Sequence, residues 1–425
     1  MKMELSTWKR CEGVFSCLLV ILILTSVIAI ASTSVVAATI AANAGGVDVG
    51  SDSVSRTEVV DAIMAYMKAT YLGEEAEHLE KGELRNLACL HFYQGRYPRT
   101  ITTATGENVT IYKPLERIAV LNTDVAEAIR ALGAKDRIVG ISDTVTKGTV
   151  FFPEISKKDA VGSWKEIDPE SVLQLDADAV FAYGKWPGPE YIEDKLPPTI
   201  TVIRLDFYKP ETLREEMLKL GYLLDEEENA SEYTTWHDKY VNEIEDKVSG
   251  IAEEDKPKVF LDNSGKELMK ERKTYSRKSG GISTLCELAG GKNIAAELEA
   301  PYPEVELEWI LKQNPEVIVG LTNRGGYETD DDSEVEEEYK RVIELTGFDN
   351  IPAVEDNRVY LIDSSVPFAP GYPIGLAYMA KWFYPEEFED LDPQAIHQEY
   401  VDKFCGIDFD VTKHGVFVYP GMEGS

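Results

Sequence analysis

The residues best placed to do chemistry are aromatic rings and scattered cations that follow closely on short apolar runs. Asn122 and Thr123, Trp164, the group Tyr183, Lys185 and Trp186, and Tyr208 stand so in the first half of the chain. Tyr275 and Arg277, Tyr302, Arg324, Phe368 and Tyr372 do so in the second. Flat apolar faces with polar tips hold a large conjugated or chelated small molecule. Lys185, Arg277 and Arg324 can pair with its carboxylates or its net negative charge. Each aromatic could equally be ordinary packing, so position after a strand is the deciding signal. Covalent chemistry lacks comparable support. There is no G-x-S-x-G elbow, no G-x-x-x-x-G-K-[ST] loop and no H-E-x-x-H helix. No catalytic residue is assigned, and the chain reads as a binding protein rather than an enzyme. An exported surface hydrolase is the weaker alternative. The histidines, His78, His91, His237, His397 and His414, show no paired spacing, so no metal held directly by protein ligands is expected.

The elements that must position these residues are α/β in pattern. Buried-type runs fall at 118–121, 138–141, 179–182 and 202–205, and again at 259–261, 317–319 and 359–362. Helical periodicity fills the gaps, which predicts mainly parallel sheets covered by helices. Residues 230–252 carry Tyr233, Trp236, Tyr240, Ile244 and Val248 at helical spacing. They contain no Gly or Pro before Gly250, so they predict one long stiff helix. The two halves echo each other. Residues 170–184 resemble 308–322, with Glu170 against Glu308 and Asp176 against Asn314. ALGAKD at 131–136 more loosely resembles LAGGKN at 288–293. The simplest architecture is two similar Rossmann-like lobes joined by a single long helix, with a ligand cleft between them. The expected boundaries are 113–222 for the first lobe, 223–255 for the connector and 256–425 for the second lobe and tail. Residues 45–112 are read as a linker and a small helical extension. Asp48, Asp52 and Glu58 there hint at a calcium loop but lack its spacing.

The first 44 residues predict export. Lys2, Lys9 and Arg10 precede an apolar stretch from Val14 to Ala31, and small residues follow to Ala42-Asn43-Ala44. The segment is either a cleaved signal peptide or a retained signal-anchor, because its length is at the lower limit for spanning a bilayer. The sequons at Asn108 and Asn229 agree with export. A net charge of −33 repels nucleic acid and anionic lipid, which removes both as partners. The acidic run from Asp330 to Glu338 reads as a solvated loop entering a helix. Cys89, Cys286 and Cys405 have neither disulfide-framework nor metal spacing and read as small buried hydrophobes, with a Cys286–Cys405 bridge left open.

Several stretches together resemble one family. They are RIAVLNT (Arg117–Thr123) with AEAIRALG (Ala126–Gly133), VGSW (Val161–Trp164) with DPE (Asp168–Glu170), LCELAGGKNI (Leu285–Ile294) and NRVYLI (Asn357–Ile362). Their order and spacing over about two-thirds of the chain resemble the metal-chelate class of solute-binding proteins. These serve ABC importers of iron–siderophores, haem and vitamin B12. The ending YPIGLAYMAKWFYPE (Tyr372–Glu386) is similar to archaeal and anaerobe members. The resemblance implies a monomer that delivers a chelate to an ABC permease and its ATPase, with no cofactor of its own. An iron chelate is the first expectation and a corrinoid or haem the alternative. It also implies a docking carboxylate on each lobe. Glu127 matches the first by position, and Glu287 lies near the expected place of the second.

Overall fold

The computed structural model describes residues 54–72, 78–263 and 271–421. The expectations placed on the export segment, on Asp48 and Asp52, and on the linker before residue 54 lie outside the described residues. Two compact units divide at Gly95/Arg96.

The first unit is a helix pair. Helix α1 (Arg56–Met67) starts at Ser55, whose hydroxyl accepts from the Glu58 amide at 3.2 Å while the Glu58 carboxylate accepts from the Ser55 amide at 2.7 Å. This reciprocal cap explains Glu58, which is spent on a helix end and not on calcium. Helix α2 (Lys81–Phe92) packs on α1.

The second unit holds both α/β lobes. A hairpin of β1 (Arg99–Thr102) and β2 (Asn108–Ile111) precedes the first sheet, within the stretch read as a linker and a helical extension. Lobe one contains β3 (Ile118–Val120), α3 (Thr123–Ala131), β4 (Ile138–Ile141), β5 (Asp159–Ala160), α4 (Pro169–Gln174), β6 (Ala179–Ala182) and β7 (Thr201–Arg204). Its sheet has the order β5-β4-β3-β6-β7 and is parallel throughout. Strand faces alternate between two cores. Ile118, Val120 and Phe181 enter one, and Ala119, Leu121 and Val180 the other, as a doubly covered sheet requires.

The connector follows as α5 (Pro210–Leu224) and α6 (Glu227–Ser249), separated by a left-handed Asp225. Tyr233, Trp236, Tyr240, Ile244 and Val248 of α6 are buried, as the periodicity predicts. Lobe two contains β8 (Lys258–Asp262), β9 (Glu271–Lys273), α7 (Ile282–Leu288), β10 (Lys292–Asn293), β11 (Glu304–Glu306), α8 (Leu307–Gln313), β12 (Val317–Thr322), α9 (Ser333–Ile343), α10 (Pro352–Glu355), β13 (Val359–Asp363), α11 (Tyr372–Phe383), α12 (Pro393–Tyr400) and β14 (Val418–Tyr419). Its sheet order is β10-β8-β12-β13-β14, parallel except for the last strand.

The repeat read from sequence is visible in the backbone. The order β4-β3-β6-β7 corresponds to β10-β8-β12-β13. Asp176 and Asn314, which the echo aligns, are both left-handed, with φ 46 and 54. Gly133 and Gly290 of the looser pair have φ 75 and 83. These are helix-ending corners where a left-handed residue frees the chain to enter the next strand. Side chains of both lobes and of the connector share one apolar cluster, from Ile118 and Phe181 through Tyr233 and Ile244 to Val259 and Val319. The connector is therefore embedded in the core and not a free tether.

Candidate functional site

The carboxyl ends of the parallel strands place most of the expected residues. After β3, Asn122 caps α3 by accepting from the Val125 amide at 2.9 Å. Its Nδ2 is buried without a hydrogen-bond partner. Thr123 donates to Asp124 at 3.2 Å. Asp124 is buried and also accepts from the Tyr183 hydroxyl at 3.0 Å. Burial pushes the Asp124 carboxyl above its ordinary range, and nearby Asp206 adds to the shift. Burial likewise raises Tyr183 well above the usual phenol. Tyr183 therefore stays a neutral donor.

Two further contacts fix this corner. The buried Arg204 donates to the Tyr183 carbonyl at 2.8 Å and forks onto Glu193 at 2.7 Å. Asp206 accepts from the Gly184 amide at 2.7 Å and from Lys209 at 2.6 Å. The Tyr208 ring meets Tyr183 edge-on at 5.5 Å.

Lobe two faces this corner. Burial, then Asp206, raises the Tyr208 phenol, and Tyr302 of lobe two is near enough to contribute. Tyr302 is 56% exposed and meets Tyr275 edge-on at 5.8 Å. Tyr275 is itself held by Asn293, which donates to its carbonyl at 2.7 Å. Gly281, with φ 52, starts α7 at the same approach of the lobes. A Cβ there would stand 3.1 Å from Phe368 Cε1 and 3.7 Å from the Tyr208 carbonyl oxygen. Only glycine meets both the backbone angle and this close packing. Tyr183 and Tyr208 of lobe one and Tyr302 and Tyr275 of lobe two are thus two edge-on pairs, and the lobes approach one another between them at Gly281, Phe368 and the Tyr208 carbonyl.

The other expected residues fare differently. Trp164 is half-buried under Lys165, whose ammonium lies 4.6 Å from the ring. Lys185 and Trp186 are exposed at the rim of the Tyr183 loop. Arg277 is paired with Glu287 at 3.1 Å and with Glu297, and Arg324 with Glu334 at 3.0 Å. Their charges are already matched. Tyr372 does not line the cleft. It is 2% exposed, and its hydroxyl contacts His237 of the connector at 2.6 Å. The sequence places it after a strand, but the turn at 364–371 carries it into the core at the start of α11.

Glu127 requires a correction. It is buried on α3 and accepts from the Tyr400 hydroxyl, so it offers no surface for a permease arginine. Burial pushes its carboxyl up to about 7. Glu287 is half-buried and engaged by Arg277. The carboxylates that the repeat aligns, Glu170 in the first turn of α4 and Glu308 in the first turn of α8, are both exposed. Asp124 is the site residue that sequence reasoning missed, although it lies one position past Thr123.

Smaller expectations also resolve. Cys286 and Cys405 are separate buried free thiols, and no bridge joins them. The Asn229 amide is engaged by the Leu132 carbonyl at 3.0 Å and by Glu226 at 2.8 Å within α6, so it is not presented for glycosylation. The acidic run does enter a helix, α9, but Glu338 turns inward to accept from Thr322 at 2.7 Å. Among the described residues, no cluster of three His, Cys, Asp or Glu side chains is arranged to hold a metal. No described helix is long and apolar enough to cross a membrane.

Comparison with known proteins agrees with this geometry. Residues 118–366, more than half of the chain, match the profile of a family described as periplasmic binding protein. The molybdate-binding protein MolA of Haemophilus influenzae is 26% identical over 345 residues, covering 72% of this chain and 90% of that protein. The vitamin B12-binding protein of Yersinia pestis is 26% identical over 208 residues, covering 48% of this chain and 69% of that one. Among solved structures, the TroA-like periplasmic binding protein FepB of Veillonella parvula superposes with a TM-score of 0.63 at 25% identity, covering 76% of this chain and 99% of that one. These relatives are solute-binding proteins and not enzymes.

Proposed function

The chain belongs to the periplasmic binding protein family, as an exported solute-binding protein of the metal and chelate class that serves ABC importers, and from that premise we propose that its cargo is an iron chelate of the siderophore type. The observation that carries this reading is the pair Tyr183–Tyr208 on lobe one and the pair Tyr302–Tyr275 on lobe two, set on either side of the close approach at Gly281. Edge-on phenols at Tyr183, Tyr208 and Tyr302, backed by the buried Tyr275, give apolar faces with hydroxyl tips, which suits a chelate whose organic shell is flat and whose rim is polar. Trp186 and Lys185 extend the surface at the rim. The metal arrives inside its chelator, so the protein needs no ligand cluster of its own.

A corrinoid is the second reading. The likeness to a vitamin B12-binding protein favours it, and the same rings would serve a macrocycle. A thermal-shift panel separates the readings. Ferric hydroxamate and catecholate chelates, cobalamin, haemin and molybdate are each added to the purified protein. A rise in melting temperature with a ferric chelate alone supports the first reading, since a ligand at 100 times its Kd adds about 2.7 kcal/mol. A rise with cobalamin or molybdate and none with iron chelates overturns it.

Delivery requires docking on a permease. With Glu127 buried, the repeat favours Glu170 and Glu308 as the paired docking carboxylates, one exposed on each lobe at corresponding helix starts. The protein is read as a working monomer, held near the membrane or released depending on whether residues 1–44 are retained.

A further inference from the structure

We propose that the lobes are joined by a second joint, apart from the connector helix, in which Glu328 of lobe two latches a turn of lobe one and limits how far the cleft opens.

The turn lies after β4. Its Phe152 amide bonds back to the Gly148 carbonyl at 2.8 Å. The amides of Val150 and Phe151 are left facing outward, and both donate to the Glu328 carboxylate at 3.0 Å. The Thr149 hydroxyl donates to the same carboxylate at 3.0 Å. Three donors converging on one anion form a contact of the charge-assisted kind. It spans lobes whose residues lie far apart in sequence.

The contact is backed by a buried aromatic seam. The Phe151 ring stacks on Tyr327 at 4.1 Å and 18°. The Arg130 guanidinium sits 4.0 Å over Phe151 and 4.6 Å over Phe152, and it donates to the Phe151 carbonyl. Tyr327 in turn pairs with His397 of α12 at 2.6 Å. One turn further along, Tyr400 reaches Glu127 of lobe one. The C-terminal helix therefore crosses back onto lobe one, and Glu328 closes the exposed edge of that crossing. The seam is buried, whereas Glu328 is exposed and its bonds can be exchanged for water. The joint acts as a hinge pin with a releasable catch. It depends on neither the identity of the cargo nor the choice of docking residues.

Spin labels on exposed positions of the two lobes test this. Asp194→Cys in lobe one and Lys312→Cys in lobe two are labelled in the full chain, with Cys11, Cys17 and Cys89 replaced by serine. Cys286 and Cys405 are buried, and burial raises both thiols, which protects them from labelling. Distances are measured by double electron–electron resonance without ligand. The parent should give one narrow distribution. Glu328→Ala should broaden it and add a longer component, while Glu328→Gln, which keeps an acceptor, should fall between. The melting temperature of Glu328→Gln shows whether the fold is retained. An unchanged narrow distribution in both variants overturns the latch, as does a broadening that appears equally when the unrelated exposed Glu355 is changed to Ala.

Discussion

The two lobes share a scaffold and differ at their strand ends, and the difference separates what holds the fold from what can vary between the lobes. Strand order is the same, and left-handed corners recur at Asp176 and Asn314. At the strand ends, lobe one buries Asp124 and Asp206 beneath Tyr183 and Tyr208 and binds them with a phenol and with Lys209. Lobe two satisfies its acids locally. Asp363 accepts from the Ser365 hydroxyl at 2.7 Å and the Gly325 amide at 3.2 Å, and Glu338 accepts from Thr322. Lobe two instead contributes Tyr302, Tyr275 and Phe368. The scaffold is repeated, while the strand ends differ: lobe one's is polar and braced, and lobe two's carries Tyr302 at the surface with Tyr275 buried behind it.

Core substitutions at aligned positions should break the scaffold most. Phe181 of β6 and Val319 of β12 are both fully buried and correspond in the repeat. Phe181→Ala should cost about 3–5 kcal/mol in urea unfolding. Val319→Ala should cost about 1.5–3 kcal/mol, because less apolar surface is lost. Equal costs would mean that the two sheets are not packed alike.

Glu127 offers the next largest effect, and its sign is definite. Its carboxyl is raised from 4.5 to about 7 by burial, so the folded state holds a proton that the unfolded chain has released. Stability on this account is full below pH 4.5 and falls as pH rises towards 7, by an amount of order 2–3 kcal/mol. Glu127→Gln keeps an acceptor for Tyr400 and removes the titration. Thermal melts should therefore show the variant matching the parent near pH 4, drawing ahead as pH rises from 4.5 to about 7, and keeping that lead above it. A constant difference across pH would refute the buried acid.

Smaller effects test the division at the cleft. Tyr208→Ala and Tyr302→Ala should each weaken cargo binding about tenfold, or ~1.4 kcal/mol, with little change in melting. Arg324→Ala should change affinity by less than about 0.5 kcal/mol, because Glu334 already holds that charge at the surface. A large loss at Arg324 would move recognition towards lobe two's cations. Smallest of all, Asp176→Gly and Asn314→Gly should each leave stability unchanged or add up to ~1 kcal/mol, since both replace a strained left-handed residue by glycine. Opposite responses at the two sites would mean that the corners are not equivalent.

The scaffold was legible because its signals are local. Each apolar run read as a strand from Ile118 to Ile362 lies in or over a strand, and the helix over 230–252 was marked by the spacing of Tyr233, Trp236 and Tyr240. Short edges were not legible. The strands β5, β10 and β14 have two residues each, too few for alternation to show. Positions after strands marked Tyr183, Tyr208 and Tyr275 of the candidate site, whereas Tyr302 precedes β11. That signal failed where distant chain closes over a residue. Glu127 sits on a helix that local pattern leaves open to solvent, and Tyr400, far along the chain, covers it. Tyr372 meets His237 in the same way. Neither burial has a signature within its own segment.

The most direct test of a cleft shared by both lobes is a calorimetric titration of a ferric chelate into the parent, Tyr208→Ala, Tyr302→Ala and the double variant. One chelate per protein should bind the parent, each single change should weaken it, and the double variant should lose binding beyond either single one. Undiminished affinity in the double variant would mean that the cargo does not lie between the lobes against these rings.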